Sequence, residues 1–493
     1  MTTIRQPAAP GPVRSGTELE EGSSALAVFR SRPFLLLWLS QAFTQVGGNM
    51  VLYGLTVLVF NLTRSNSAVS LLILSFLAPA VVLSAFAGVY VDRFDRRWVL
   101  VVTNLVRAAL YGSLVFFDDY LAVILAVNVL VSSATTFFAP AELAMIPLVV
   151  PRSQLLTANG VFTLTLNTAF AVGFTLLGPL VVNLANPEIL VAVVAGCYFV
   201  AAVFCWTLPP APPSPVAHPD TLHEAEAAVG SFVSQFREGL GFIAAQRSVA
   251  WSLVYLGIAA SVVGVLGSLG PGFATSVLGL ESDDFVVVVL PLGAGLVLGV
   301  LLLNSINRIL TRRQTIEIGL ISLGVLLALL TVAGPIATVL ANIDRAESLV
   351  DASAFVSILA VVIAIAFVAG MTYAFIAIPA QTELQDEIPE AVRGRIFGIL
   401  NMLISVGSLL PIIVVGPIAD IVGPMAVVIV MAVLISVVGV ASVLGRGRGA
   451  RRGRLLAPAE PGTTSTGAFD AVDEVETGEA PGVPVPGPSP EEP

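Results

Sequence analysis

Lysine is missing from this 493-residue chain, so all 23 of its basic residues are arginine. A phosphate-binding loop of the nucleotide-hydrolysing type needs a lysine to reach the phosphates, which excludes ATP hydrolysis by this chain. Histidine is nearly absent: His218 and His223 both fall in a polar segment, so no histidine relay runs through an apolar span. The two cysteines, Cys197 and Cys205, share one apolar run and one helix, which gives no disulfide framework and reads as inert buried thiol. No His, Cys or Ser cluster has catalytic spacing, so an enzyme is not expected. Neither nucleic acid, a metal nor another cofactor is expected as a partner. Charged residues make up only 11% of the chain.

Apolar residues fill the space. They make up 56% of the sequence, with a mean hydropathy of +0.94, more than a soluble domain can bury. About 20 apolar residues span a bilayer as a helix, and runs of that length recur throughout. They are continuously apolar rather than alternating, which favours helices over a barrel. The reading is an all-α polytopic membrane protein with twelve spans, near 33–60, 68–91, 98–117, 120–145, 155–184, 188–207, 250–277, 285–306, 316–340, 354–380, 393–420 and 424–445.

Residues 29–207 and 249–445 then form two six-helix bundles, joined by a linker at 208–248. The linker opens with the non-helical "LPPAPPSPVAHP" and continues into "SFVSQFREGLGFI", where Phe232, Phe236, Leu240 and Ile243 share one face of an amphipathic surface helix. Residues 1–28 read as a disordered tail with no cleaved leader, and 446–493 as a basic, then acidic, disordered tail. Eight carboxylates follow residue 454, so the net charge of −10 belongs mostly to that tail. Within span seven, "SLGPG" (268–272) is expected to break the helix, as a hinge or as an ordinary terminus.

Arginine fixes the orientation. With both termini cytoplasmic, 20 of the 23 arginines lie inside, Arg64 and Arg345 lie outside, and Arg107 lies within a span. The halves also echo one another. From Pro151 to Gly178-Pro179 is 27 residues, and so is the distance from Pro389 to Gly416-Pro417. "NRILTRR" between spans eight and nine weakly repeats "VDRFDRR" between spans two and three. A duplicated six-helix unit explains this, and such repeats build secondary transporters with a site between the halves.

The chain resembles the major facilitator superfamily. That family's loop between spans two and three, G-x-x-x-D-R-x-G-R-R/K, is matched by Gly88, Asp92, Arg93, Arg96 and Arg97, with Asp95 in place of the second Gly. "RPFLLLWLSQAFTQVGGNM", "VPRSQLLTANG" and "PAQTELQDEIPEAVRGRIFGILN" are similar to bacterial exporters of the enterobactin and macrolide type. The resemblance covers about residues 30–445. It implies two pseudo-symmetric six-helix bundles in a bacterial plasma membrane, exporting a small molecule in exchange for protons. The chain departs from those exporters at Asn49, where an Asp is common, at Glu142, where Arg closes span four, and at "GPLVVN", where two further Gly are usual. A proton-independent facilitator or uptake transporter is the alternative that Asn49 favours. A membrane sensor or scaffold acting through the tails is a third.

Two readings of residues 88–97 stand. One is a positive-inside topology signal. The other is a cytoplasmic latch, in which Asp92 meets the N-terminus of span eleven and Arg93 or Arg97 pairs with Glu142. Arg107, near mid-membrane, is either a functional cation or a structural one bonded to carbonyls and Asn104. In the family's architecture spans one, four, seven and ten line the cavity. They would supply Gln41, Gln45, Asn49, Asn128, Thr135, Tyr255, Met371 and Tyr373, a set suited to an amphipathic solute or, residue by residue, to helix packing.

Overall fold

The computed structural model describes residues 28–91, 93–212, 247–344, 351–387 and 393–456, together with 237 and 241. Twelve long helices hold most of them, and no strand occurs among the described residues. They are α1 (Arg32–Thr63), α2 (Asn66–Val91), α3 (Arg96–Phe117), α4 (Leu121–Val149), α5 (Leu155–Leu184), α6 (Pro187–Trp206), α7 (Arg247–Ser276), α8 (Val286–Ile306), α9 (Arg312–Asp344), α10 (Asp351–Glu387), α11 (Arg393–Val422) and α12 (Pro424–Leu456). Eleven of these carry a stretch long and apolar enough to cross a membrane, and α11 carries the shorter apolar stretch Gly407–Val422. The chain forms one large unit, Met1–Val443, and a second, Leu444–Pro493, whose described part is the helical end of α12.

Local chemistry sets the helix ends. Ser31 caps α1 by accepting from the Phe34 amide at 3.4 Å, and Arg64 ends it in the left-handed region with its N–H on the Phe60 carbonyl. Asp95 caps α3 through the Arg97 amide at 2.9 Å, and Asn186 caps α6 through Ile189. Between α11 and α12 only Gly423 turns the chain, at φ 89°, a conformation any side chain would strain.

One sequence expectation is corrected here. α7 runs unbroken through "SLGPG" to Ser276. Proline is tolerated inside membrane helices, where the surrounding bundle offsets the lost backbone bond. The helical backbone of α12 continues to Leu456, and the arginines there suit a helix C-terminus although Gly445, Gly447, Gly449 and Gly453 favour it little. The amphipathic linker helix and Asp92 lie outside the described residues, apart from 237 and 241 of the linker.

The pairing of helices repeats with an offset of six. In the first half α2 packs on α4, α3 on α4 and α1 on α5; in the second, α8 packs on α10, α9 on α10 and α7 on α11. The α8–α10 contact is backbone to backbone: a Cβ on Gly295 or Gly370 would run into the carbonyl of Phe367 or Leu292. Across the halves α2 packs on α11 and α5 on α8, and these two contacts are themselves mates under the repeat.

Candidate functional site

Arg107 lies in the middle of α3 and is only 2% exposed. Its guanidinium donates to Asn104 Oδ1 at 2.7 Å, to the Thr103 carbonyl at 3.3 Å and to Thr135 Oγ1 at 3.5 Å. It also lies over the rings of Phe138 and Tyr198, at 4.3 and 4.7 Å from their centroids. Each such ring stabilises a desolvated cation by about 0.5–2 kcal/mol. Glu142, also buried, lies one turn beyond Phe138 on α4, the ring that Arg107 covers. Its Oε1 meets no hydrogen-bond donor among the described residues. Around the pair, Cys205 Sγ shares a 3.0 Å hydrogen bond with Ser40 and takes a longer one from Asn104, while Gln41 donates weakly to the Phe162 carbonyl. Helices α1, α3, α4, α5 and α6 thus enclose one polar core inside the first half, holding a cation and a carboxyl.

Asp95 also accepts from the Ala211 amide at 3.3 Å, and the Arg97 guanidinium donates to the Trp206 carbonyl at the C-terminus of α6, where a cation is favoured. For Gly88 only its helical backbone is described. Arg93 N–H bonds the Tyr90 carbonyl and Arg96 N–H the Ala211 carbonyl, closing the loop onto the segment after α6.

The eight residues assigned to a cavity lie at several places in the structure. Asn128 donates to the Leu72 carbonyl and to Ser75 Oγ, at 3.1 and 2.8 Å, joining α4 to α2. Tyr255 is buried against Ser442 Oγ at 2.6 Å, joining α7 to α12. Met371 sits where α10 meets the Gly295 and Gly299 backbone of α8, and Tyr373 packs half-buried against the apolar core. Thr135 belongs to the Arg107 cluster. Gln41 and the half-buried Gln45 and Asn49 follow one another along α1; the Asn49 amide donates to the Gln45 carbonyl at 2.8 Å.

Three features were not anticipated from the sequence. One is a second polar core in the other half: buried Glu317 accepts from Ser442 Oγ at 2.9 Å and from Arg313 Nε at 3.2 Å. Another is a π-helical stretch, Ala171–Leu177, inside α5, where the Gly178 amide reaches back to the Gly173 carbonyl. Pro179 lacks an N–H and crowds the preceding turn, so the helix widens ahead of it, and the Gly-Pro pair was the available signal. The third is a seal across the halves at the face where α1 ends and α2 begins. There Tyr53 stacks on Phe285 with centroids 6.1 Å apart, Ser282 donates to Asn61, and Thr175 of the π stretch presses on Gly293 of α8.

The sequence model described as Major Facilitator Superfamily matches residues 37–411, most of the chain. The chain belongs to the major facilitator superfamily. As members of that family do, it implies a multi-pass membrane protein that meets lipid and carries a small-molecule substrate. The chain is similar to YfiS, an uncharacterized MFS-type transporter of Bacillus subtilis strain 168, at 25% identity over 85% of this chain and 94% of that one. It is similar also to the multidrug efflux pump Tap of Mycolicibacterium fortuitum, at 26% identity over 83% and 95%. Among solved structures, the nucleoside transporter NupG superposes with a TM-score of 0.60 at 15% identity, covering 84% of this chain and 98% of that one. The POT family transporter PepTSo superposes with a TM-score of 0.57 at 14% identity, covering 86% and 99%. At such identities these two likenesses bear on the fold alone.

Proposed function

We propose that this chain exports an amphipathic small molecule, of the drug, siderophore or metabolite class, by alternating access and in exchange for protons. The carrying observation is the Arg107–Glu142 core. A buried carboxyl with an oxygen that no donor satisfies is costly as an ion and cheaper as an acid, whereas a buried arginine cannot give up its charge. Glu142 is therefore the group whose proton occupancy the first half can register, and Arg107 is the fixed charge that it senses. Likeness to Tap supports the efflux direction. The distribution of arginines supports a bacterial plasma membrane location with both termini cytoplasmic, and hence a protein sealed on its outer, α1–α2, face. Residues 29–207 and 249–445 act as the two moving bundles. Gln41, Gln45 and Asn49 on α1, with Met371 and Tyr373 on α10, are the side chains assigned to the solute.

Inside-out vesicles test the reading. Uptake of fluorescent amphipathic dyes is expected to rise when a pH gradient, acid inside, is imposed, and Glu142→Gln is expected to abolish that response. Uptake that equilibrates regardless of the gradient would instead favour a proton-independent facilitator. Asn49 supports that second reading: it cannot titrate, and its amide is bonded to its own helix.

A further inference from the structure

The seal contains one ionic contact, and it lies between the halves. Asp420, in the last turn of α11, receives five hydrogen bonds from three consecutive residues at the start of α2. The backbone amides of Asn66 and Ser67 donate at 2.7 and 3.0 Å, Asn66 Nδ2 at 3.0 Å, and the Ser65 and Ser67 hydroxyls at 2.7 and 2.5 Å. Ser65 caps α2 by accepting from the Ala68 amide at 3.3 Å, and the Asp420 carboxylate of another helix completes that end by taking the Asn66 and Ser67 amides at the positive end of the helix dipole. Approach is close because Gly416, one turn earlier, leaves room: a Cβ there would collide with Ser70 Oγ and lie 2.8 Å from the Asn66 carbonyl. On the other side a Cβ at Gly272 of α7 would collide with the Asn66 side chain.

The repeat shows that this ion is not a by-product of the fold. Aligning Gly178-Pro179 with Gly416-Pro417 places Val182 opposite Asp420. Val182 is buried and apolar, and the α8 end in that mate interface follows a short turn that already carries Asp283 and Asp284. The acid stands only where five donors at the start of α2 await it.

We propose that Asp420 is the positioning residue that holds the outer face shut, an ionic clasp between α11 and the α2 N-terminus that must break each time the protein opens outward. The inference rests on the alternating-access reading above. The clasp is at the solvent-exposed rim, so each bond is weakened by water, and its strength lies in five donors converging on one group. Since Gly416 and Asp420 climb α11 while Ser70 and Asn66 descend α2, the two helices run antiparallel.

A reporter cysteine below the clasp tests this. In a Cys197→Ala/Cys205→Ser background, Thr175→Cys lies inside the seal, and a membrane-impermeant maleimide is applied to right-side-out vesicles. Asp420→Asn is expected to raise the labelling rate about tenfold, as loss of a charge-assisted network shifts the population toward the open face. An unchanged rate in a variant that purifies like the parent would overturn the proposal. Should Asp420→Asn fail to fold, Ser65→Ala/Ser67→Ala decides, since it removes two of the five donors and keeps the carboxylate. Its labelling rate is expected to rise several-fold, and a rate equal to the parent's would overturn the clasp. Parent vesicles that move no dye would reject the transport reading and leave the labelling result intact.

Discussion

Replacing Glu142 with glutamine removes a charge with almost no change in shape, and the cost of doing so follows from what remains around Arg107. The guanidinium is 2% exposed and keeps Asn104, Thr103 and Thr135 as neutral acceptors, with Phe138 and Tyr198 against its faces. Removing one partner of a buried pair typically costs about 3–5 kcal/mol. The rings and the Asn104 oxygen still solvate the cation, so the lower end applies: Glu142→Gln is expected to destabilise the protein by about 3 kcal/mol at a pH where Glu142 is ionised, and by less where it holds its proton. Arg107→Met removes the cation, after which Glu142 takes up a proton. The double variant has no buried charge left and is expected to be more stable than the sum of the singles by about 2 kcal/mol. Equilibrium unfolding in mixed micelles, followed through helix content, gives the four corners of the cycle. Additivity within about 0.5 kcal/mol would show that Arg107 and Glu142 do not sense each other, and the coupling assigned to them would be wrong.

Other substitutions probe the packing. Gly370→Ala pushes a methyl into the Leu292 carbonyl and is expected to destabilise by about 1–3 kcal/mol, whereas Gly257→Ala, with nothing within 4 Å, is expected to be neutral or stabilising by about 0.5 kcal/mol. Thermal unfolding of the two side by side checks the order. Asn128→Leu severs α4 from α2 at two hydrogen bonds and is expected to cost about 1–2 kcal/mol, with dye selectivity unchanged. Ser442→Ala takes a donor from Glu317 and a partner from Tyr255, and is expected to cost about 1–3 kcal/mol in the same unfolding assay.

The helices were legible because a bilayer demands runs of about 20 apolar residues and little else. The runs mark each of the twelve to within a few residues at most ends, and the error at "SLGPG" has a physical cause. Proline and glycine break helices in water, but in a packed membrane bundle they permit close approach, as Gly270 does beneath Phe285. Charges within spans were equally legible one at a time. Arg107 and Glu142 stood out individually, yet nothing local joins residues 35 positions apart on different helices, so Glu142 reads from the sequence as a latch partner of Arg93 or Arg97 or as a proton carrier. Asp420 went unremarked for the opposite reason. Near the end of an apolar run it reads as an ordinary exposed carboxylate, and its meaning depends on "RSNSA" some 350 residues earlier, which only the tertiary fold brings to it.

Distances between spin labels test the rocking of the two halves most directly. Leu184 and Glu281 are exposed at the face where α1 ends, on opposite halves, and Leu156 and Ile309 are exposed at the opposite face. Alternating access requires that solute or a pH gradient lengthen the first distance while shortening the second. Two distances that stay fixed in a protein that still moves dye would contradict it.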